Sequence, residues 1–193
     1  MEDLAFNLLA TLKKASASTE TKLSLFTQLK SLIKHQQVPE PAQPIIFECI
    51  YLALTSPTSA SLVTTGFSAL AHLGKRLTQQ EQLEAVFSQR CDIMGVLLER
   101  LGDAKESHRV AAGQALGDLW PARQMEVEKL IKESAIEGIH IRAKEAGMQW
   151  VTKMHVEHNL QFRVFVGSIV ECLEDADGGV RETAKTNIVE LFK

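Results

Sequence analysis

Apolar residues recur every three or four positions along most of the chain: Leu4, Leu8, Leu9 and Leu12; then Leu25, Phe26, Leu29 and Ile33; then Val127, Leu130 and Ile131. That period draws an apolar stripe down one face of a helix, and no segment alternates as a half-buried strand would. Breakers interrupt the runs at Ser16–Thr19, Pro39–Pro44, Ser56–Ser59, Gly102–Ser107, Pro121 and Asp175–Gly179. They cut the chain into roughly ten helices joined by short connections, the sign of antiparallel neighbours. Pro44 suits a helix start before Ile45, and Asp177-Gly178-Gly179 predicts a tight, flexible turn before a helix beginning near Val180.

The chain also repeats itself. Leu101-Gly-Asp-Ala-Lys-Glu-Ser-His-Arg-Val-Ala-Ala matches Leu173-Glu-Asp-Ala-Asp-Gly-Gly-Val-Arg-Glu-Thr-Ala at an offset of about 72 residues. Asp103 then pairs with Asp175, Arg109 with Arg181, Ala112 with Ala184, Leu116 with Ile188, Leu119 with Leu191 and Trp120 with Phe192. A looser copy lies midway, at Ile139 to Ala146 followed by Trp150, so the unit is one helical hairpin and the array a solenoid. The Leu-x-Asp turn followed by Val-Arg-x-x-Ala resembles a HEAT repeat, in which the Asp braces the turn and the Arg ties into it. The predicted fold is all-α, an α-α superhelix of about five hairpins over residues 1–37, 38–77, 78–121, 122–159 and 160–193. We read residues 1–193 as one domain. Its last helix is apolar to the end at Leu191-Phe192, which suggests a piece of a longer protein or a surface that meets another element.

Composition narrows the function. The 193 residues are 45% hydrophobic and 23% charged, an ordinary globular balance. Net charge is −3, without the basic excess of a dedicated nucleic-acid binder or of a helical-repeat DNA glycosylase. Cys49, Cys91 and Cys172 form no CxxC pair and read as reduced, packed thiols. The opening Met1-Glu2-Asp3 is acidic where a secretory signal would be basic. Cys49–Gly74 lacks Asp, Glu, Lys and Arg, but Pro57, Gly66 and a run of Ser and Thr make it two buried helices around a turn rather than a membrane span.

Candidate chemistry is sparse. No Gly-x-Ser-x-Gly elbow, HExxH or phosphate loop is present, so the chain reads as non-enzymatic, and no motif calls for a cofactor. His155 and His158, with Glu157 and His140, have a spacing that could serve a metal, but nothing completes the set, and they read as surface histidines at a turn. Trp120 and Trp150 read as core. The Ser16–Ser24 cluster reads as a turn with an N-cap at Ser18 or Thr19. What remains is a row of turn residues. In a stacked array Lys22, Lys105, His108, Arg109, Arg142, Lys144, Arg181 and Lys185 fall on or near one edge, interspersed with acidic residues and able to meet an acidic partner.

The same residues resemble a TOG domain, the paddle of HEAT hairpins in microtubule regulators, and more closely that of the CLASP family. Leu173 to Lys185 with Val189-Glu190-Leu191-Phe192 carries the likeness, and Leu101 to Ala112 repeats it. The resemblance implies a binding module whose aligned turns dock tubulin or a spindle or kinetochore partner, without nucleic acid or membrane. It implies a place on the cytoskeleton, in the cytoplasm, at spindle and kinetochore, or in the nucleus. We expect a monomer. The first turn, Ala15 to Lys22, lacks the large aromatic of tubulin-binding members, and Ser56–Ser61 is small and uncharged. An N-terminal TOG-like domain of this atypical kind implies localisation or autoregulation more than strong tubulin capture. The competing reading is a HEAT adaptor that binds through its concave helical face.

Overall fold

The computed structural model describes residues 1–193, and every regular element is helical. Ten α-helices form five successive pairs: α1 (Glu2–Lys13) and α2 (Thr19–His35); α3 (Gln43–Leu54) and α4 (Ala60–Gln79); α5 (Ile93–Arg100) and α6 (Glu106–Leu119); α7 (Gln124–Leu130) and α8 (Ile141–His158); α9 (Val166–Glu171) and α10 (Gly178–Leu191). These are the five predicted hairpins. The chain gathers into two compact units, Met1–Val96 and Leu97–Lys193.

In the first unit α2 packs on α4, and α1 and α4 both pack on α3. The periodic residues supply the core: Leu8, Phe26, Leu29 and Ile33 meet Ile46, Phe47, Ile50 and Leu54 from α3, and Leu70, Leu73 and Leu77 from α4. Burying each large apolar side chain contributes about 1.5–3 kcal/mol. Gly66 lets α4 close on α3, since a methyl group there would sit 3.1 Å from Ala53 Cβ. Arg76 on α4 donates from Nε to Ile33 O (3.1 Å) and from Nη2 to Lys34 O (2.5 Å), satisfying carbonyls that the end of α2 leaves open. The uncharged Cys49–Gly74 stretch divides between α3 and α4 as expected, and no helix is long and apolar enough to cross a membrane.

In the second unit α8 is central, packed against α10, against α6 and against the end of the first helix of its own hairpin. That first helix runs from α7 straight into a π-helical turn, Ile131–Ile136. Gly147 brings α8 onto this turn, because a methyl group there would come within 3.0 Å of Ala135 Cβ and Ile136 Cγ1. Trp120 and Trp150 are buried as expected, and so are Cys49 and Cys172, while Cys91 is half-buried. The pairing of Trp120 with Phe192 fails in burial, because Phe192 is exposed and meets Phe162 edge-on at 5.3 Å.

One turn differs from its prediction. Gly178 and Gly179 do not form a flexible turn; they are the first residues of α10, and no glycine in the chain has positive φ. Asp177 caps the helix instead, its carboxylate accepting from Gly179 N (2.8 Å) and Val180 N (3.1 Å). Ser18 caps α2 in the same manner, accepting from Thr21 N, and Ser59 caps α4, accepting from Leu62 N. The polar residues of the first two turns therefore serve helix starts.

Candidate functional site: the turn edge of the second unit

The third and fifth turns are built alike. Asp103 Oδ1 accepts from Lys105 N at 2.8 Å, and Asp175 Oδ1 accepts from Asp177 N at 2.9 Å. Arg109 Nη1 donates to Asp103 O (2.9 Å) and Ala104 O (3.1 Å); Arg181 Nη1 donates to Asp175 O (2.7 Å) and Ala176 O (2.9 Å). The sequence repeat thus reproduces a hydrogen-bond pattern, with each Arg lacing its turn from the first coil of the second helix. Both arginines stay half-exposed, so only one nitrogen of each fork is shown in that bracing.

The second carboxylate oxygen has a different partner in each turn. Asp103 Oδ2 meets Arg100 Nη1 at 2.5 Å and His108 Nδ1 at 3.2 Å. Burial works to raise the Asp103 pKa, but the Lys105 N–H, Arg100 and His108 together hold it below the usual carboxylate value. Asp175 Oδ2 meets Lys144 Nζ of α8 at 2.6 Å, and that ammonium group, followed by the Asp177 N–H, lowers the Asp175 pKa.

These contacts join the three turns of the unit. His140, which precedes α8, lays its ring over Gly102, where a methyl group would fall 2.9 Å from Nδ1. Lys144 bridges to the fifth turn, and the Glu145 carboxylate leans over Gly179 in the first coil of α10. The turn residues of three hairpins therefore form one continuous edge.

The structure sorts the eight candidate cations. His108 is not available to a partner: its side chain is 5% exposed and turned inward against Asp103. Lys144 is 20% exposed and engaged with Asp175. Lys185 is exposed and pairs with Glu182 at 2.6 Å, a surface contact of little energy. Lys105 and Arg142 are exposed, and neither side chain is in a hydrogen bond or ion pair. Lys22 lies in the first unit, half-buried on α2. Among the histidines, His155 Nδ1 lies 2.9 Å from Leu160 O and its ring meets Phe162 edge-on at 4.7 Å.

Sequence reasoning missed one residue of this edge. Ile139, in the fourth turn beside His140 and Arg142, is 100% exposed. Its place next to a turn histidine and in the midway copy of the repeat was a usable signal, since a helix-facing isoleucine would be expected to pack inward. An exposed apolar side chain on an edge that also carries the exposed Lys105 and Arg142 has the composition of a small interface centre with a charged rim.

Successive helical hairpins, two of them with Asp-Arg-laced turns, define a HEAT-type solenoid. A family model described as CLASP N terminal matches residues 1–193, and the chain belongs to that family. Protein STU1 of Phaeosphaeria nodorum is 50% identical over 185 residues, covering 96% of this chain and 15% of that protein. Protein STU1 of Coccidioides immitis is 47% identical over 193 residues, 100% of this chain and 15% of its own length. The chain therefore spans only about 15% of these curated relatives. Among solved structures, the MAST/Orbit N-terminal domain superposes with a TM-score of 0.83 at 18% identity, covering 100% of this chain and 83% of that one. A structure from work on TOG–tubulin binding specificity in microtubule dynamics and mitotic spindle formation gives a TM-score of 0.73 at 16% identity, with coverage of 100% and 83%. The fold is that of a TOG domain.

Proposed function

We propose that this chain is a non-enzymatic, microtubule-associated module that docks tubulin, or a spindle or kinetochore partner, through the turn edge of its second unit. The observation that carries the reading is the continuity of three turns, with Lys105 of the third and Ile139 and Arg142 of the fourth exposed along it. Membership of the CLASP N-terminal family supports it, as does the fold shared with a TOG structure whose subject is tubulin binding. Arg109 and Arg181 brace the turns and present their outer nitrogens, Lys144 fixes the spacing of the fourth and fifth turns, and Lys185 adds peripheral charge. The edge acts as a preformed surface that binds with little reshaping. Because Ser18 and Ser59 cap helices where an aromatic anchor would sit, docking is weak and leans on electrostatics. The module works on the cytoskeleton, at spindle or kinetochore.

Charge reversal tests the edge. Lys105→Glu combined with Arg142→Glu should weaken tubulin binding by about tenfold or more at low salt and leave the melting temperature unchanged, as both side chains are exposed and unpaired. Unaltered affinity in the double variant would overturn the edge.

A further inference from the structure

Two neighbouring helices of the first unit carry an unbalanced charge. Lys30 of α2 donates from Nζ to Ser68 Oγ of α4 at 3.3 Å, while further along both helices Arg76 of α4 reaches the Ile33 and Lys34 carbonyls, so the two lie side by side and run in the same direction. That register gathers Lys30 and Lys34 from α2 with His72 and Lys75 from α4, toward the C-terminal ends of the pair. Lys34 and Lys75 are exposed, Lys30 and His72 are half-buried, and none of the four is in an ion pair.

No carboxylate balances them. The two helices hold one acidic residue between them, Glu20 in the first turn of α2, about 15 Å along the axis from Lys30. Glu40 and Glu81 lie in the connections that follow the helices, and Glu40 already accepts from Gln82 Nε2 at 2.7 Å. Arg76 occupies open carbonyls at the end of α2, so the lysines do not serve as its caps. His72 registers the resulting field. Partial desolvation, then Lys30, Lys34 and Lys75, hold its pKa below the ordinary histidine value, while α3 and Leu83–Ser88, also packed on α4, supply no group that acts on it.

We propose that the seam between α2 and α4 is a docking surface for an acidic segment of a protein partner, two or three of whose carboxylates sit over Lys30, Lys34 and Lys75. Lys30 and Lys34 are one helical turn apart, about 6 Å along the axis. All three lysines act on the one imidazole, so the cations form a compact cluster rather than a long row. A nucleic-acid strand draws its affinity from many phosphates and from bases stacked on aromatic rings; here the phenylalanines of the two helices, Phe26 and Phe67, are buried, and the chain's net charge is −3. A lipid surface calls for an apolar face beside the charge, and no large hydrophobic residue is exposed between Phe6 and Val110. The cluster lies at the far end of α2 and α4 from the turns that precede them, in the first unit, and stands whether or not the turn edge of the second unit binds tubulin.

A capped, dye-labelled hexaglutamate peptide provides the test, with binding read by fluorescence anisotropy and by the NMR titration of the His72 ring, assigned with His72→Gln. The chain should bind it saturably at low salt and more weakly at physiological salt. The bound carboxylates offset the lysine field, so the His72 pKa should rise in the complex. Lys30→Gln, Lys34→Gln and Lys75→Gln combined should weaken binding about tenfold without lowering the melting temperature, since none of the three is in an ion pair. Lys105→Gln with Arg142→Gln, on the turn edge, should keep the affinity of the parent. No saturable binding at low salt, an unchanged His72 titration, undiminished affinity in the triple variant, or an equal loss in the turn-edge variant would overturn the surface. Tighter binding of an oligonucleotide of equal charge, or of phosphatidylserine vesicles, would overturn the assignment to an acidic protein segment.

Discussion

Asp103 accepts from the Lys105 N–H, Arg100 and His108 at once, and these donors keep its carboxyl ionised below the usual range. A depressed folded-state pKa contributes stability that is whole above the unfolded value of about 3.9 and is lost as pH falls through the folded value. Asp103→Asn should therefore cost about 1–3 kcal/mol at neutral pH, and the gap from the parent should close as acid is added below about pH 4. Urea unfolding at pH 7 and pH 3 measures this; a gap independent of pH would show that the charge is irrelevant. The cysteines give a second residue-level expectation. Burial, helped by Glu48, pushes the Cys49 thiol up to about 12, and burial raises Cys91 and Cys172 as well. Cys91 is the most exposed of the three, so mass mapping after brief alkylation should find label there first.

At the scale of elements, the connection after α4 carries a local cost. Glu81 has φ 57°, a left-handed conformation that a side chain adopts at an expense of about 1–2 kcal/mol. Glu81→Gly relieves that conformation and should raise the melting temperature by about 1–3 °C, the usual scale for a few tenths of a kcal/mol up to one in a chain of this size; a lower melting temperature would contradict the reading. Asn159, at φ 56°, closes α8 with a residue type that, glycine apart, suits that conformation well. Helix starts were legible in the sequence at Ser18 and Pro44, whereas Ser59 was read only as part of a breaker and caps α4. Gly178-Gly179 misled because glycine signals freedom, while both take helical positions behind the Asp177 cap and Gly179 leaves room for the Glu145 carboxylate. The π-helical turn at Ile131–Ile136 left no trace, since Ile131, Ala135 and Ile136 keep a helical period while the hydrogen bonds slip by one residue.

At the scale of the whole molecule, the hairpins were legible because each repeat copies the same bonds: Asp103 and Arg109 do in the third turn what Asp175 and Arg181 do in the fifth. The site was legible only in part. Spacing identified the turn cations, but it could not show that Lys144 reaches Asp175 across about thirty residues, that His108 turns inward, or that Ile139 turns outward. Those facts depend on how neighbouring hairpins meet. The central proposal is docking through the continuous turn edge, with tubulin as the partner to test first. The most direct measurement is size-exclusion chromatography with light scattering of this chain mixed with soluble αβ-tubulin, at low and at physiological salt. The account predicts co-elution that weakens as salt rises, because the exposed charges of the edge are screened over about 8–10 Å at such ionic strength. Absence of a complex at both salt concentrations would contradict it.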